Sequence, residues 1–249
     1  MAEQLIIFII SLLANTFSAL SGGGAGLIQL PVLIFLGLPF SIALATHKVA
    51  TIALGIGATA RHLKGNHLER KFAWLMIISG VPGVVIGASF ILQIPDNIAK
   101  FSLGVLTIAL GGYSFFSPGL GQHYQPRHRN ASGFVIGGLV LFGIGVLNGS
   151  LTSGTGLFVT LWLIRWFGHD YKLAVAYTLV FVGLFWNGTG ALTLGLLSNI
   201  YWLWIPALLL GSVMGGYIGA HLSIVKGNRV IKRSFEIVTL LIGLKLIVG

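Results

Sequence analysis

Ten apolar stretches, arranged as two sets of five, dominate this chain and decide what it can become. At about 1.5 Å rise per residue, a helix of about 20 residues covers a hydrocarbon layer about 30 Å thick. Several stretches reach that length. Charged residues make up 8% of the chain and hydrophobic ones 55%, against about 25% charged in an ordinary soluble domain. A soluble fold cannot be covered with so few ionisable groups. The mean hydropathy of +0.94 points the same way. The expected class is an all-α integral membrane protein.

The first set of stretches runs roughly over 4–20, 27–38, 42–60, 72–93 and 98–116, and the second over 133–151, 157–168, 173–195, 200–222 and 231–248. The third, fourth and fifth of each set are long enough to span. The second of each, about 12 residues, is too short and reads as half of a broken or re-entrant pair with the stretch before it. The sets also resemble each other. Gly24-Ala25-Gly26-Leu27 recurs as Gly154-Thr155-Gly156-Leu157, Ala43 and Ala45 as Ala174 and Ala176, and Gly83, Gly87 and Ala88 as Gly215, Gly219 and Ala220, at offsets of 130 to 132. Three matches in one order at a nearly constant offset indicate an internal repeat. The expected organisation is a first membrane repeat over 1–117, a cytoplasmic linker over 118–132 and a second, inverted repeat over 133–249, giving about eight full spans. Met1-Ala2-Glu3-Gln4 lacks a basic leader, so the first stretch is expected to be retained rather than cleaved.

Lys and Arg concentrate in connections, as membrane proteins place them on the cytoplasmic side. Arg61, Lys64, Arg70 and Lys71 lie between the third and fourth stretches, Arg127 and Arg129 in the linker, and Lys226, Arg229, Lys232 and Arg233 between the ninth and tenth. The connection from Gln93 to Lys100 is nearly neutral and that from Gly195 to Ile200 uncharged. One threading satisfies all of these, with linker inside, both termini outside and the halves inverted. Lys64, Arg127 and Arg229 are then cytoplasmic, and Asn97 and Ser198 external. The net charge of +10 is thereby absorbed by topology, leaving no basic soluble face for nucleic acid.

Ser21-Gly22-Gly23-Gly24-Ala25-Gly26 breaks a helix that its flanks favour, and a short helix follows. Irregular backbone at membrane depth is tolerated inside protein or beside a wet cavity. Glycine permits a tight turn with N–H groups toward a ligand, and the helix start adds its positive dipole end. Leu151-Thr152-Ser153-Gly154-Thr155-Gly156 repeats the design with hydroxyls. Two such turns outline an anion site, although small residues also serve close helix packing. Ser21, Thr152, Ser153 and Thr155 are expected as hydroxyl donors, with Thr46 and Asn148 nearby.

Ala45-Thr46-His47-Lys48 is a second constellation. An intramembrane Lys48 needs a partner or a wet cavity, or else it snorkels to the outer interface. As a site residue it is expected to be a counter-charge on the external approach, its pull weakened by salt. His47 reads either as a proton relay or as a histidine bonded to backbone. Asn15, Asn148 and Asn187 need hydrogen-bond partners, for which interhelical bonds are the usual answer. Gly83–Gly87 and Gly215–Gly219 are GxxxG packing patterns. Trp74, Tyr201, Trp202 and Trp204 sit at segment ends, as an interfacial belt requires.

Absences narrow the function. No carboxylate falls deep in an expected span, which disfavours a cation pathway. There is no cysteine, no P-loop and no carboxylate pair for hydrolysis, so neither enzyme nor cofactor nor metal is expected.

The Gly-Gly-Gly-x-Gly turn, the short apolar run reaching Pro31 and the Ala-x-Ala-Thr element, all repeated in the second half, resemble the sulfite exporter TauE/SafE family across essentially the whole chain. The resemblance implies a bacterial inner-membrane permease of about eight spans. It would move sulfite, sulfonates or other small sulfur-containing or organic anions. It carries the turn onto Gly22, Gly23, Gly24 and Gly26, and the second element onto Ala43, Ala45 and Thr46. Where many relatives have a small residue after the Thr, this chain has His47-Lys48. The resulting expectation is a secondary transporter, an exporter of a small anion, with substrate contacts from Ser21, Gly22, Gly23, Gly24, Gly26, Thr46, Lys48, Asn148, Thr152, Ser153, Gly154, Thr155 and Gly156. Its partners would be that anion and the lipid bilayer, with a homodimer compatible. An anion channel and a non-transporting scaffold subunit remain as alternatives.

Overall fold

The computed structural model describes residues 2–62, 68–90, 96–152 and 154–248. The described residues form helices and short connections, with no strand among them. In the first half these are α1 (Ala2–Ser21), α2 (Ala25–Phe35), α3 (Phe40–His62), α4 (Arg70–Phe90) and α5 (Asp96–Phe115). The second half begins with α6 (Ala131–Ser150) and α7 (Thr155–Phe167). It continues with α8 (Tyr171–Tyr177), a π-helical segment (Thr178–Trp186) running into α9 (Asn187–Leu197), and then α10 (Ile205–Lys226) and α11 (Asn228–Val248). Local chemistry sets several boundaries. Asn130 Oδ1 accepts from Gly133 N to start α6, and Asp170 Oδ1 accepts from Leu173 N to start α8, as N-cap residues do. Gly168, at φ 71°, closes α7 in the left-handed region.

Among the described residues, six helical runs are long and apolar enough to cross a membrane: Glu3–Ser21, Phe40–His62, Arg70–Phe90, Ala131–Ser150, Tyr171–Leu197 and Trp202–Lys226. α1 and α6 are therefore full-length helices of 20 residues and not halves of broken ones. The break follows each of them. α2 and α7 are the short members, at 11 and 13 residues. α5 and α11, expected to span, are 20 and 21 residues long. α11 carries Arg229, Lys232, Arg233, Glu236 and Lys245, which lowers its apolarity.

α1 packs along α10, α4 along α6, α5 against α11, and α3 against α10 and the π segment. The GxxxG patterns make two of these contacts. A Cβ on Gly211, Gly215 or Gly219 would run into the carbonyls of Phe8, Leu12 or Thr16 of α1. One on Gly83 or Gly87 would meet those of Phe142 or Val146 of α6. Backbones touch, as small residues allow in membranes. Polar bonds join them: Asn15 Nδ2 donates to Ser212 Oγ at 3.0 Å, across α1 and α10.

Aromatic placement departs from expectation at one position. Trp74 and Trp202 are exposed, but Trp204 is buried and donates Nε1–H to Glu3 Oε1. It anchors the start of α1 and takes no part in a belt. At the opposite end, Arg129 bonds Glu69 at 2.9 Å and lies over the ring of Phe72.

Candidate anion site between two helix starts

The two glycine turns meet. Gly22, Gly23 and Gly24 hold φ of 88°, 143° and 105°, a run that side-chain-bearing residues rarely tolerate. It reverses the chain between α1 and α2 in three residues. At Gly23 a Cβ would lie 2.6 Å from the carbonyl carbon of Gly156, and at Gly156 one would lie 2.9 Å from Gly23 Cα. The starts of α2 and α7 thus come into backbone contact.

Beside this crossing lies a cavity of about 40 Å³. One water-sized sphere takes about 10–15 Å³, so the space holds roughly three, or a small anion. Gly23, Gly24, Ala25 and Gly26 border it from the first turn, and Thr152, Thr155 and Gly156 from the second. Neither N-cap, Gly24 or Gly154, supplies a side-chain bond to its helix. Two helix starts with their positive dipole ends therefore face one cavity. No acidic residue shares its described lining.

Two lining side chains keep polar atoms without a partner among the described residues although both are buried: Ser18 Oγ and His47 Nε2. The other nitrogen of His47, Nδ1, lies 2.7 Å from Gln29 Oε1. Buried polar atoms are nearly always bonded, so an orphaned pair around one cavity marks a place for a ligand.

Lys48 does not snorkel. It is fully buried, with Nζ donating to Asn148 O at 2.8 Å, Asn148 Oδ1 at 2.7 Å and Asn187 Oδ1 at 3.1 Å. Three acceptors match the three N–H groups of an ammonium, and all are neutral oxygens. Asn148 and Asn187 line the cavity while Lys48 stands behind them. Its Nζ therefore sits one side chain away from the cavity, not on an external approach. Asn148 also donates Nδ2–H to Thr155 Oγ1 at 2.8 Å.

Of the residues expected to bind, the structure gathers Gly23, Gly24, Gly26, Asn148, Thr152, Thr155 and Gly156 around the cavity, together with His47. Ser21, Gly22, Thr46, Lys48 and Gly154 are not among its lining, and Ser153 lies outside the described residues, as does Lys64. The Ser21 hydroxyl donates to its own backbone at Phe17 O. Thr46 Oγ1 accepts from Tyr201 N and so pins the connection before α10. Gly22 packs under Thr160, whose hydroxyl donates to the Gly22 carbonyl.

Sequence reasoning missed Ser18, Thr51 and Thr178 as lining residues and gave Asn187 a packing role. A signal existed. Ser18 pairs with Asn148 at an offset of 130, and His47 with Thr178 at 131.

A family model described as Sulfite exporter TauE/SafE matches residues 7–246. The chain belongs to this family. Curated relatives named as probable membrane transporter proteins cover nearly all of it. One from Haemophilus influenzae is 28% identical over 97% of this chain and 93% of its own. One from Sinorhizobium, named ORF9, is also 28% identical, over 97% and 91%. YfcA of Escherichia coli K12 is 25% identical, over 97% and 88%. No solved structure matches. The TauE/SafE chain is thus a multi-pass membrane transporter, and the family and these relatives are described as transporters, not enzymes.

Proposed function

We propose that this TauE/SafE protein is a secondary transporter that exports a small anion such as sulfite, a sulfonate or a related organosulfur or organic acid. The observation that carries the reading is the cavity where two uncapped helix starts meet beside unpaired Ser18 and His47 atoms. The buried Lys48, without a carboxylate among its bonded partners, adds positive potential that favours an anionic occupant. A negative cell interior is worth about 2.3 kcal/mol per charge per 100 mV and drives anions outward, so export needs no sodium site.

The architecture within this reading is two inverted repeats, 1–117 and 133–249, around a cytoplasmic linker, in a bacterial inner membrane with both termini external. Helix pairing supports it: exchanging the five elements of one half for those of the other turns the α1–α10 contact into the α6–α4 contact. α5–α11 and α3–π segment pair with their own counterparts. The matched offsets of the lining residues support it as well. Eight helices then lie in the membrane, with α2 and α7 folding back from the glycine turns.

Flux of radiolabelled sulfite and sulfoacetate in proteoliposomes is the test, with uptake expected over empty liposomes. Absence of flux and of binding for every small anion, in folded protein, sinks the proposal. Counterflow separates carrier from channel, since a carrier exchanges labelled for unlabelled substrate. For topology, single cysteines are clean reporters because the chain has none. Ser198→Cys is expected to react from outside, and Arg127→Cys and Arg229→Cys from inside.

A further inference from the structure

His47 is held by a hydrogen-bond chain whose polarity can be read from its far end. The Leu208 carbonyl only accepts, so Ser11 donates its single hydroxyl proton there, at 2.8 Å. Ser11 Oγ must then accept from Gln29 Nε2, at 2.9 Å. That turns Gln29 Oε1 toward His47 Nδ1, at 2.7 Å. An amide oxygen cannot donate, so Nδ1 carries the ring hydrogen. The same assignment has Ser212 donating to Ser11 and accepting from Asn15, and no hydrogen is used twice. Nε2 of the neutral ring is therefore a lone pair. It is buried, has no partner among the described residues, and belongs to a ring that borders the cavity.

A lone pair repels an anion unless a proton lies between them. The remainder of the lining, with the Ser18 hydroxyl and two helix starts, favours negative charge. We infer that the cavity takes a small oxyanion that still carries an acidic hydrogen, bound with that hydrogen between its own oxygen and His47 Nε2. The inference rests on the anion reading of this same site. The proton enters with the anion. If it passes to Nε2, an imidazolium and the more highly charged anion remain, their sum unchanged, and it returns as the anion departs. One proton thus accompanies each anion without a separate proton site. Lys48, next along α3, is the ionisable neighbour. α1, α2, α9 and α10 bring Ser11, Asn15, Ser18, Gln29, Asn187 and Ser212 to this region, none of them ionisable.

Hydrogenselenite and bromate test this. Both are monoanions with three oxygens on one central atom, and hydrogenselenite alone carries an O–H. Calorimetric titration of the full chain in detergent at neutral pH is expected to show hydrogenselenite binding at least about tenfold more tightly, the effect of one charge-assisted hydrogen bond. In His47→Gln the preference is expected to fall below about threefold, because an amide can turn either its oxygen or its N–H to the ligand. Equal binding, or a preference for bromate, in the unaltered protein overturns the inference and leaves the anion site standing. A preference that survives His47→Gln overturns the role of His47. Binding of neither anion overturns this inference and the anion reading together. Should the variant fail to fold, the pair of titrations on the unaltered chain still decides.

Discussion

The two halves of the site share a backbone plan and differ in their chemistry. In the first half, three consecutive glycines at positive φ make the turn, and two of the side chains that reach the cavity, Ser18 and His47, keep atoms unpaired among the described residues. In the second half the turn uses Thr152 at φ 58° and Gly154 at 77°, and the lining threonine hydroxyls are already bonded. Thr152 Oγ1 donates to Asn148 O, Thr155 Oγ1 to Thr152 O, and Thr178 Oγ1 to Ala174 O. One half is therefore open to a ligand through its side chains, and the other is a self-satisfied frame that offers backbone. A repeat can keep its geometry while its chemistry drifts, because helix packing is set by small residues and polar contacts by a few side chains.

The largest expected effect comes from the point where the halves touch. Gly23→Ala drives a Cβ into the backbone of Gly156, which has no side chain to yield, at a φ that alanine resists. A cost of about 3–5 kcal/mol is expected, read as loss of monodisperse protein on size exclusion. Gly156→Ala meets Gly23 Cα at 2.9 Å without a positive φ and should cost about 1–3 kcal/mol. Equal damage from the two would break the asymmetry.

Next in size is Lys48→Met, which strips a bond from Asn148 and Asn187 and removes the buried charge. Anion affinity is expected to fall about tenfold or more, and the deficit should persist in high salt, because buried charges are screened little. A loss that vanishes with salt would place Lys48 on an exposed approach after all.

Ser18→Ala against Thr178→Val probes the open and closed halves directly. Losing a hydroxyl that bonds a charged ligand is worth about 1.5–3 kcal/mol, so Ser18→Ala should weaken binding about tenfold with melting unchanged. The Thr178 hydroxyl is committed to Ala174 O, so Thr178→Val should leave affinity within about twofold and lower stability by about 1 kcal/mol. Reversed results would move the ligand contacts to the second half.

The smallest effect concerns the end remote from Trp204. Burial, then the charge of Arg129, lowers His169 to a pKa of about 4, while bonding and charge from Arg129 outweigh partial burial and hold Glu69 below its usual value. Both groups have folded values below their unfolded ones. The stability that His169 contributes is full above about pH 6.5, the unfolded histidine value, and is lost as pH falls toward 4, whereas that of Glu69 is lost only as pH falls below the ordinary carboxylate range. Melting in detergent should decline over that window, and His169→Gln should flatten its upper part.

Much of the fold was legible in the sequence. Apolar length gave the helices nearly to their ends, because a hydrocarbon layer demands internally bonded segments of fixed length. Gly22–Gly26 and Thr152–Gly156 announced turns, because few residues accept positive φ. The GxxxG patterns at Gly83 and Gly215 announced helix contact. Side-chain commitments could not be read. Whether the hydroxyl of Ser21, Thr46 or Ser18 is free depends on which carbonyl or N–H happens to lie within reach, and those partners come from α1, from Tyr201, or, for Ser18, from none of the described residues. Lys48 shows the same division. Its sequence position demanded a partner, and only the tertiary approach of Asn148 on α6 and Asn187 on α9 supplied three oxygens at one point 100 and 139 residues away. The sequence by itself determined a membrane-embedded helical chain with two matched turns, through one-dimensional rules of length, periodicity and backbone freedom. Tertiary structure decided which polar atoms remain unsatisfied, because hydrogen bonding is settled by three-dimensional proximity among residues far apart in the chain.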